Sequence, residues 1–363
     1  MFTTFCRRLK RATLPVLVVA LAGQAGAQVV CYDGFGDYAA ETQLESGSNG
    51  SPGTPLDGGT GWGGAYDVRN AIKTLVRIEN RSSSPVNYAN GEITLAGGSR
   101  ALRFYDLANG SHAVHRPLGT VFNAAAGDSL WFSVLFRTAN GGASPLANQD
   151  FFQIGFDDNG NADSGNPRVS IGSNTLSTTT FPSAYHFFAR SSTDLLASAY
   201  HDSLPIMAGT TYLLVGQVRP TAGAYDTVSL FVNPSRLDNP GPPSATISAP
   251  SGLASLSHAF IRSAYLDSGD AYVLDEWRIG RDYGSVVGSL RNALRILPAE
   301  VPGGPPTLRW SASLSGGVLE ASTTLAPDSW EEVTGTITLG AGDWHYPVPA
   351  APDIRRRFYR LRR

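Results

Sequence analysis

The sequence predicts an all-β protein: a two-sheet antiparallel sandwich followed by a small second β module. Three observations predict it. Glycine (40 residues) and proline (23 residues) punctuate short apolar runs along the whole chain. Those runs alternate with period two, as half-buried strands do. No amphipathic pattern persists beyond about three helical turns.

The first element is a leader. Arg7, Arg8, Lys10 and Arg11 make a basic start, an apolar run spans 12–22, and Ala25-Gly26-Ala27 has the small residues of a cleavage site. Together they read as a secretion signal over 1–27, with Gln28 opening the mature chain. The apolar run is shorter than the ~20 residues that cross a bilayer. The expectation is a secreted or cell-surface protein, in the periplasm at the nearest, with no transmembrane segment. Four of the 28 basic residues leave with the leader, so 24 face 30 acidic ones, a net charge of −6. That balance argues against a nucleic-acid partner. Cys6 leaves as well, and Cys31 stays alone on the first strand. It is expected to be a buried thiol without an intramolecular disulfide.

Strands follow at 75–79, 92–95 and 101–105. The run SLWFSVLFR (129–137) puts Leu130, Phe132, Val134 and Phe136 on one apolar face. Trp131, Ser133, Leu135 and Arg137 share the other, as in one strand of a two-sheet sandwich. Further runs occupy 151–156, 168–171, 184–189, 211–218, 227–232, 259–265 and 272–279. In the last, strict alternation puts Val273, Asp275, Trp277 and Ile279 on one face, which is expected to be buried with Asp275 hydrogen-bonded. Leu274, Glu276, Arg278 and Gly280 take the other. The large domain therefore spans 28–284. One short helix is expected within 285–297, and the Pro/Gly-rich end of 285–306 reads as a linker. Five short strands (308–313, 318–322, 330–333, 344–348 and 357–361) then form the module at 307–363. Trp310, Leu319, Trp330, Val333, Tyr346 and Phe358 are its expected core.

Five segments in order carry a resemblance. They are Tyr32-Asp33-Gly34-Phe35 with Gly61-Trp62-Gly63-Gly64, then LWFSVLFR, then 212–218 (YLLVGQV), then 226–234 (DTVSLFVNP), and last Asp275-Glu276-Trp277-Arg278-Ile279-Gly280. This series resembles the laminin-G-like, concanavalin A-type jelly rolls of secreted planctomycete and verrucomicrobial proteins. The tail resembles small C-terminal β modules of the same genomes. The resemblance implies a jelly-roll sandwich in a secreted protein. Its families mostly lack an assigned activity.

A glycan-cleaving jelly roll needs two carboxylates in one groove, and an E-x-D-x-x-E run supplies them. No such run is present. Asp275 and Glu276 are adjacent, so alternation sends them to opposite faces; one is expected to pair with an arginine and the other to be solvated. No zinc motif or nucleophile elbow is present, and His112 and His115 lie three apart. The loop Asp157-Asp158-Asn159-Gly160-Asn161-Ala162-Asp163 offers Asp157, Asn159, Asn161 and Asp163 as alternate oxygen ligands for calcium. Its composition equally suits an Asx-rich turn. Trp62, Tyr66, Tyr185, His186 and Tyr200 are the candidates for stacking on a sugar. The expected function is a non-enzymatic extracellular module that binds glycan or another surface component. A structural spacer of the cell envelope is the alternative, and a divergent glycoside hydrolase or polysaccharide lyase the third reading.

Overall fold

The computed structural model describes residues 17–20, 29–42, 56–69, 76–105, 111–139, 151–161, 168–176, 184–191, 198–201, 206–264, 266, 269–288, 295–297, 306–311, 318–324, 326–340, 343–349 and 356–362. The chain divides into two compact units. One is Ala27–Gly288, and the other combines Met1–Gly26 with Ser289–Arg363. The cleavage motif Ala25-Gly26-Ala27, Asp163 and the segment 298–305 lie outside the described residues.

The strands are β1 (Leu17–Ala20), β2 (Val29–Asp33), β3 (Asp67–Arg69), β4 (Val76–Asn80), β5 (Tyr88–Asn90), β6 (Ile93–Leu95), β7 (Arg100–Tyr105) and β8 (Ser111–Asn123). They continue as β9 (Leu130–Ala139), β10 (Phe151–Asp157), β11 (Val169–Leu176), β12 (Ala184–Ser191), β13 (Ser198–His201), β14 (Thr211–Thr221), β15 (Ala224–Val232) and β16 (Ala245–Ser248). β17 (Ser255–Ala264), β18 (Ala271–Gly280) and the helix α1 (Tyr283–Val287) complete the large unit. The remainder are β19 (Arg295–Leu297), β20 (Thr307–Ser311), β21 (Val318–Ser322), β22 (Glu331–Glu332), β23 (Thr338–Gly340), β24 (Asp343–Pro347) and β25 (Arg356–Arg362).

The large unit is a sandwich of two antiparallel sheets. A seven-stranded sheet runs β13-β12-β11-β10-β17-β8-β3. An eight-stranded sheet runs β16-β15-β14-β9-β18-β7-β4, with β2 added beside β18. Alternation fills the space between them. Phe132 meets Phe156 edge-on at 5.0 Å, and Phe136 packs on Phe152 at 4.8 Å. Each such buried side chain contributes about 1.5–3 kcal/mol relative to exposure.

The eight-stranded sheet has a second apolar side. Leu135, Leu213, Val215 and Val273 point away from the sandwich and pack with Tyr88, Ile93, Leu95, Tyr283, Val286 and Val287. The hairpin β5–β6 and α1 therefore roof this face. Tyr88 donates to the Pro234 carbonyl at 2.9 Å, and Ser133 Oγ to the Val286 carbonyl at 2.6 Å. α1 is one turn long and starts at Asp282, whose Oδ1 accepts from Ser285 N at 2.9 Å.

β18 corrects strict alternation. Asp275 pairs with Leu135 but Arg278 pairs with Ser133, so β18 carries one extra residue. Glu276 takes φ 54, in the left-handed region. This β-bulge flips the pattern. Trp277 and Ile279 join Tyr272 and Leu274 between the sheets, while Val273 lies on the outer side. The bulge also marks where β18 changes partner, from β7 at 271–274 to β2 at 277–280. Asp275 is fully buried and hydrogen-bonded, as expected, and Glu276 is buried too, so neither acid of the pair is solvated. Asp275 Oδ2 accepts from Gly98 N at 3.0 Å and its Oδ1 from Glu276 N at 2.8 Å. Glu276 accepts from Tyr32 Oη at 2.9 Å and pairs with Arg278.

In the small unit, β1-β25-β21-β22 and β19-β20-β24-β23 form two four-stranded sheets. Its core includes Trp310, Leu319, Val333, Tyr346 and Tyr359. Of the segment 285–297 expected to hold a short helix, the end of the single turn α1 and strand β19 are described, and 289–294 lie outside the described residues. β19 pairs with β20, so the Pro/Gly-rich segment joins two strands of one sheet instead of two domains. Such a composition suits either role, because proline and glycine report a chain that turns and not what flanks it.

Candidate functional site

Strand register assembles a polar and aromatic surface on the outer side of the seven-stranded sheet. Arg262 (β17), Gln153 (β10), Gly172 (β11), Phe188 (β12) and Tyr200 (β13) lie directly across from one another in one row. The next row holds His115 (β8), Phe260, Gly155, Ser170, Arg190 and Ser198. On the other flank lie Phe151, Asn174 and His186. These positions alternate with the core residues Phe152, Ile154 and Phe156, so they share the face opposite the sandwich interior.

The side chains of this surface are held in place. The Arg190 guanidinium sits 4.6 Å from the Phe188 ring and 5.3 Å from the Phe151 ring, and its Nε donates to Ser198 Oγ at 2.9 Å. Phe151 and Phe188 stack at 5.8 Å. Arg262 lies 5.6 Å from Phe151. Cation–π contacts of this kind fix a guanidinium. Gln153 Nε2 donates to Ser170 Oγ, and its Oε1 has no hydrogen-bond partner. Gln153 and Arg190 are almost fully buried, whereas Arg262, Asn174 and Tyr200 are half-buried.

Of the expected sugar-binding residues, the structure brings His186 and Tyr200 to this surface. Tyr185 is on the same strand as His186, and its side chain lies outside the described residues. Sequence reasoning missed Gln153, Arg190 and Arg262. Their one signal was a polar residue at an alternate position of an apolar run, and only cross-strand register shows that they meet.

Trp62 and Tyr66 lie elsewhere, in a clasp that pins the N-terminal segment to β8. Tyr66 is 1% exposed, which overturns its role as a stacking platform. Its hydroxyl donates to Asp33 Oδ2 at 2.8 Å, beside donations from Tyr38 Oη at 2.7 Å and Arg116 at 2.7 Å. Burial, and then the Asp33 charge, push both tyrosine hydroxyls well above their ordinary range, so they remain donors. Burial likewise raises the Asp33 carboxyl, against the pull of these hydrogen bonds and of Arg116. Arg116 also binds the Gly64 and Gly58 carbonyls at 3.0 and 2.5 Å. A buried arginine is tolerated here because its donors are used.

Trp62 is half-buried. Its ring packs 4.8 Å from Trp277, the Arg116 guanidinium lies 4.6 Å from its centroid, and its Nε1 donates to the Tyr32 carbonyl at 3.1 Å. These contacts make Trp62 a wall instead of an open stacking face. It borders a surface cleft of about 320 Å³, shared with Val29, Val30, Gly61, Gly119, Thr120 and Arg281. Gly61 is required: at φ 80, a Cβ there would stand 1.7 Å from the Val30 carbonyl oxygen.

Of the four candidate calcium ligands in the loop after β10, Asp157, Asn159 and Asn161 are described and Asp163 is not. Asp157 is fully buried, and its Oδ1 accepts from Asn159 N at 3.1 Å and Gly160 N at 2.6 Å. Its Oδ2 lies 3.7 Å from His115 Nε2. Asn159 Oδ1 accepts from Asn161 N at 2.9 Å. These are nested Asx turns, with the carboxylate turned inward to cap its own loop. Burial raises the Asp157 carboxyl above its ordinary value, while the Gly160 and Asn159 amides pull it back. Among the described residues, no group of three or more His, Cys, Asp or Glu is placed to hold a metal ion. No helix among them is long and apolar enough to cross a membrane. Cys31 is buried and free, and burial pushes its thiol up to about 12.

No family model matches the chain, and no curated protein matches it. Several solved structures are similar at low identity. Peanut lectin with a 9mer peptide is 15% identical, with a TM-score of 0.35, covering 60% of this chain and 96% of that one. Alginate lyase Aly36B is 12% identical, with a TM-score of 0.34, covering 52% and 82%. The carbohydrate esterase vb_24B_21 from Shiga toxin-encoding bacteriophage phi24B is 12% identical, with a TM-score of 0.39, covering 71% and 100%. The fold assignment rests on the strand order and register given above.

Proposed function

We propose that this is a secreted carbohydrate-binding protein whose ligand surface is the outer side of the seven-stranded sheet. One observation carries the reading: strand register brings the partly exposed Arg262, Tyr200 and Asn174 to this one face, over the buried Gln153, Phe188 and Arg190. Sugars need this combination. Ring C–H groups pack on aromatic faces, and hydroxyls and carboxylates take N–H donors fixed in advance. Arg262 at this face favours a glycan that bears carboxylates, because a guanidinium edge matches a carboxylate in a bidentate pair. The half-buried Arg262, Asn174 and Tyr200 form the rim at which a ligand first makes contact. The leader-like start supports export.

A glycan array probed with the protein, including polyuronates and neutral glucans, is the test. Retention of an acidic glycan that weakens in salt is expected. Arg262→Ala should reduce it by about tenfold, as for a lost hydrogen bond from a charged group. Binding that ignores Arg262→Ala and Tyr200→Ala would refute the surface. An array without any retained glycan would leave the envelope spacer as the better reading. Shortening of the bound polymer would replace binding with cleavage.

A further inference from the structure

We propose a second ligand site in the clasp of the N-terminal segment: the cleft beside Trp62 binds a neutral hexose unit. This inference is independent of the sheet surface, which it neither needs nor supports.

The cleft has the size and walls of a small-ligand site. Its volume of about 320 Å³ lies at the small end of the range for such pockets. Its walls are rigid because each is hydrogen-bonded to another element. β2 pairs with β18, and a register shift between Ile279 and Gly280 makes Val30 the extra residue there. Across from it, Gly119 N donates to the Gly61 carbonyl at 3.0 Å and Gly63 N to the Pro117 carbonyl at 2.9 Å. Trp62 is locked by its Nε1 bond and by Trp277. A preformed wall needs no ordering when a ligand arrives.

The lining is amphipathic. Val29, Val30 and the free edge of Trp62 offer apolar surface of the kind a sugar ring covers. Thr120 is exposed and offers a hydroxyl. Arg281, with 44% of its side chain exposed, supplies N–H donors. Its NH1 already donates to Asp128 Oδ1 at 2.8 Å, and its guanidinium lies 5.0 Å from the Phe122 ring. That ion pair decides the ligand class. Asp128 offsets the arginine charge, so the cleft is a weak receptor for an anion. Arg281 lines the cleft and has further N–H donors beside the one given to Asp128, and hydroxyl oxygens are suitable uncharged acceptors for them. The two sites thus differ in charge: the sheet surface carries arginines and is proposed for an acid, and a neutralised arginine here calls for hydroxyl.

Titration of the protein with glucose, galactose and mannose tests this, read by calorimetry and by tryptophan fluorescence. At least one sugar should bind saturably, with affinity unchanged between about 50 and 500 mM salt because no net charge is exchanged. Arg281→Ala and Thr120→Val should each weaken it by about tenfold, the loss of one good hydrogen bond. Arg262→Ala should leave it intact, which separates this site from the sheet surface. The variants' melting curves establish that they are folded. No saturation by any of the three at about 20 mM would overturn the proposal, since even a weak site of millimolar affinity would fill. Affinity that falls steeply with salt, or that survives both cleft substitutions, would overturn it as well.

Discussion

The two outer faces of the sandwich are built from the same kind of alternating strand and have opposite characters. The outer side of the eight-stranded sheet is apolar and roofed by β5–β6 and α1, which bury Leu135, Leu213 and Val273. The outer side of the seven-stranded sheet carries Gln153, Ser170, Arg190, Arg262 and His115 among Phe151, Phe188 and Phe260. Removing apolar side chains from water stabilises a fold. Burying arginine, glutamine and histidine does not, unless each is matched by a partner. The roofed face is therefore explained by stability.

Four substitutions test that contrast, from the largest effect to the smallest. Glu276→Gln removes the charge facing the buried Arg278 and loosens the bulge that aims Trp277 into the core. A loss of about 3–5 kcal/mol is expected from denaturant unfolding, because breaking a buried pair leaves one charge uncompensated. A loss below about 1 kcal/mol would mean that the pair behaves as a surface one. On the roofed face, Leu135→Ala should cost about 2–5 kcal/mol and leave glycan retention unchanged.

The matching change on the polar face is Gln153→Leu. Its stability should move by less than about 1.5 kcal/mol in either direction, since an apolar side chain of similar shape removes an unsatisfied polar atom. Binding to the array should be lost. If Gln153→Leu unfolds the protein as readily as Leu135→Ala does, the polar face is structural and the contrast fails.

The smallest effect concerns Asp157. Burial raises its folded pKa above the unfolded value near 3.9. The folded chain then holds a proton that the unfolded chain has released. The stabilising contribution is complete below the unfolded carboxylate range and fades as pH rises through the folded value. Asp157→Asn, which can keep the Asx turn, should flatten this part of the stability–pH curve. Chelator should not shift the melting temperature of the parent protein. A chelator-sensitive melt would restore calcium to the loop.

Much of the sandwich was legible from alternation. The run at 129–137 sorted correctly into Leu130, Phe132, Val134 and Phe136 inside and Trp131 and Leu135 outside. β8 was not legible. Arg116, Pro117 and Gly119 interrupt its pattern, yet it is a strand of 13 residues. Pro117 is accommodated beside the register shift opposite Leu256 and His258, and Arg116 by the carboxylate and carbonyls that receive it. Both supports come from other strands, so nothing local announces them. The same holds for the binding surface. His186 and Tyr200 stood out as polar aromatics, whereas Arg262 and Gln153 are 109 residues apart in sequence and become neighbours only through β10–β17 pairing.

The sequence by itself determined the class of fold, because strand periodicity is a local property of which side chains prefer water. It determined as well that Trp277 would be buried. Tertiary structure decided which residues accompany it. One extra residue at Glu276 reverses the faces of β18, and a bulge is defined by two strands and cannot be read from one. Tertiary structure also decided that Trp62 is a wall and Tyr66 a buried donor. Aromatic residues between glycines suit a loop rim and a clasp equally until Asp33, Arg116 and Trp277 arrive to fill their surroundings. Local chemistry sets what each residue can do, and the partners that folding delivers set which of those capacities is used.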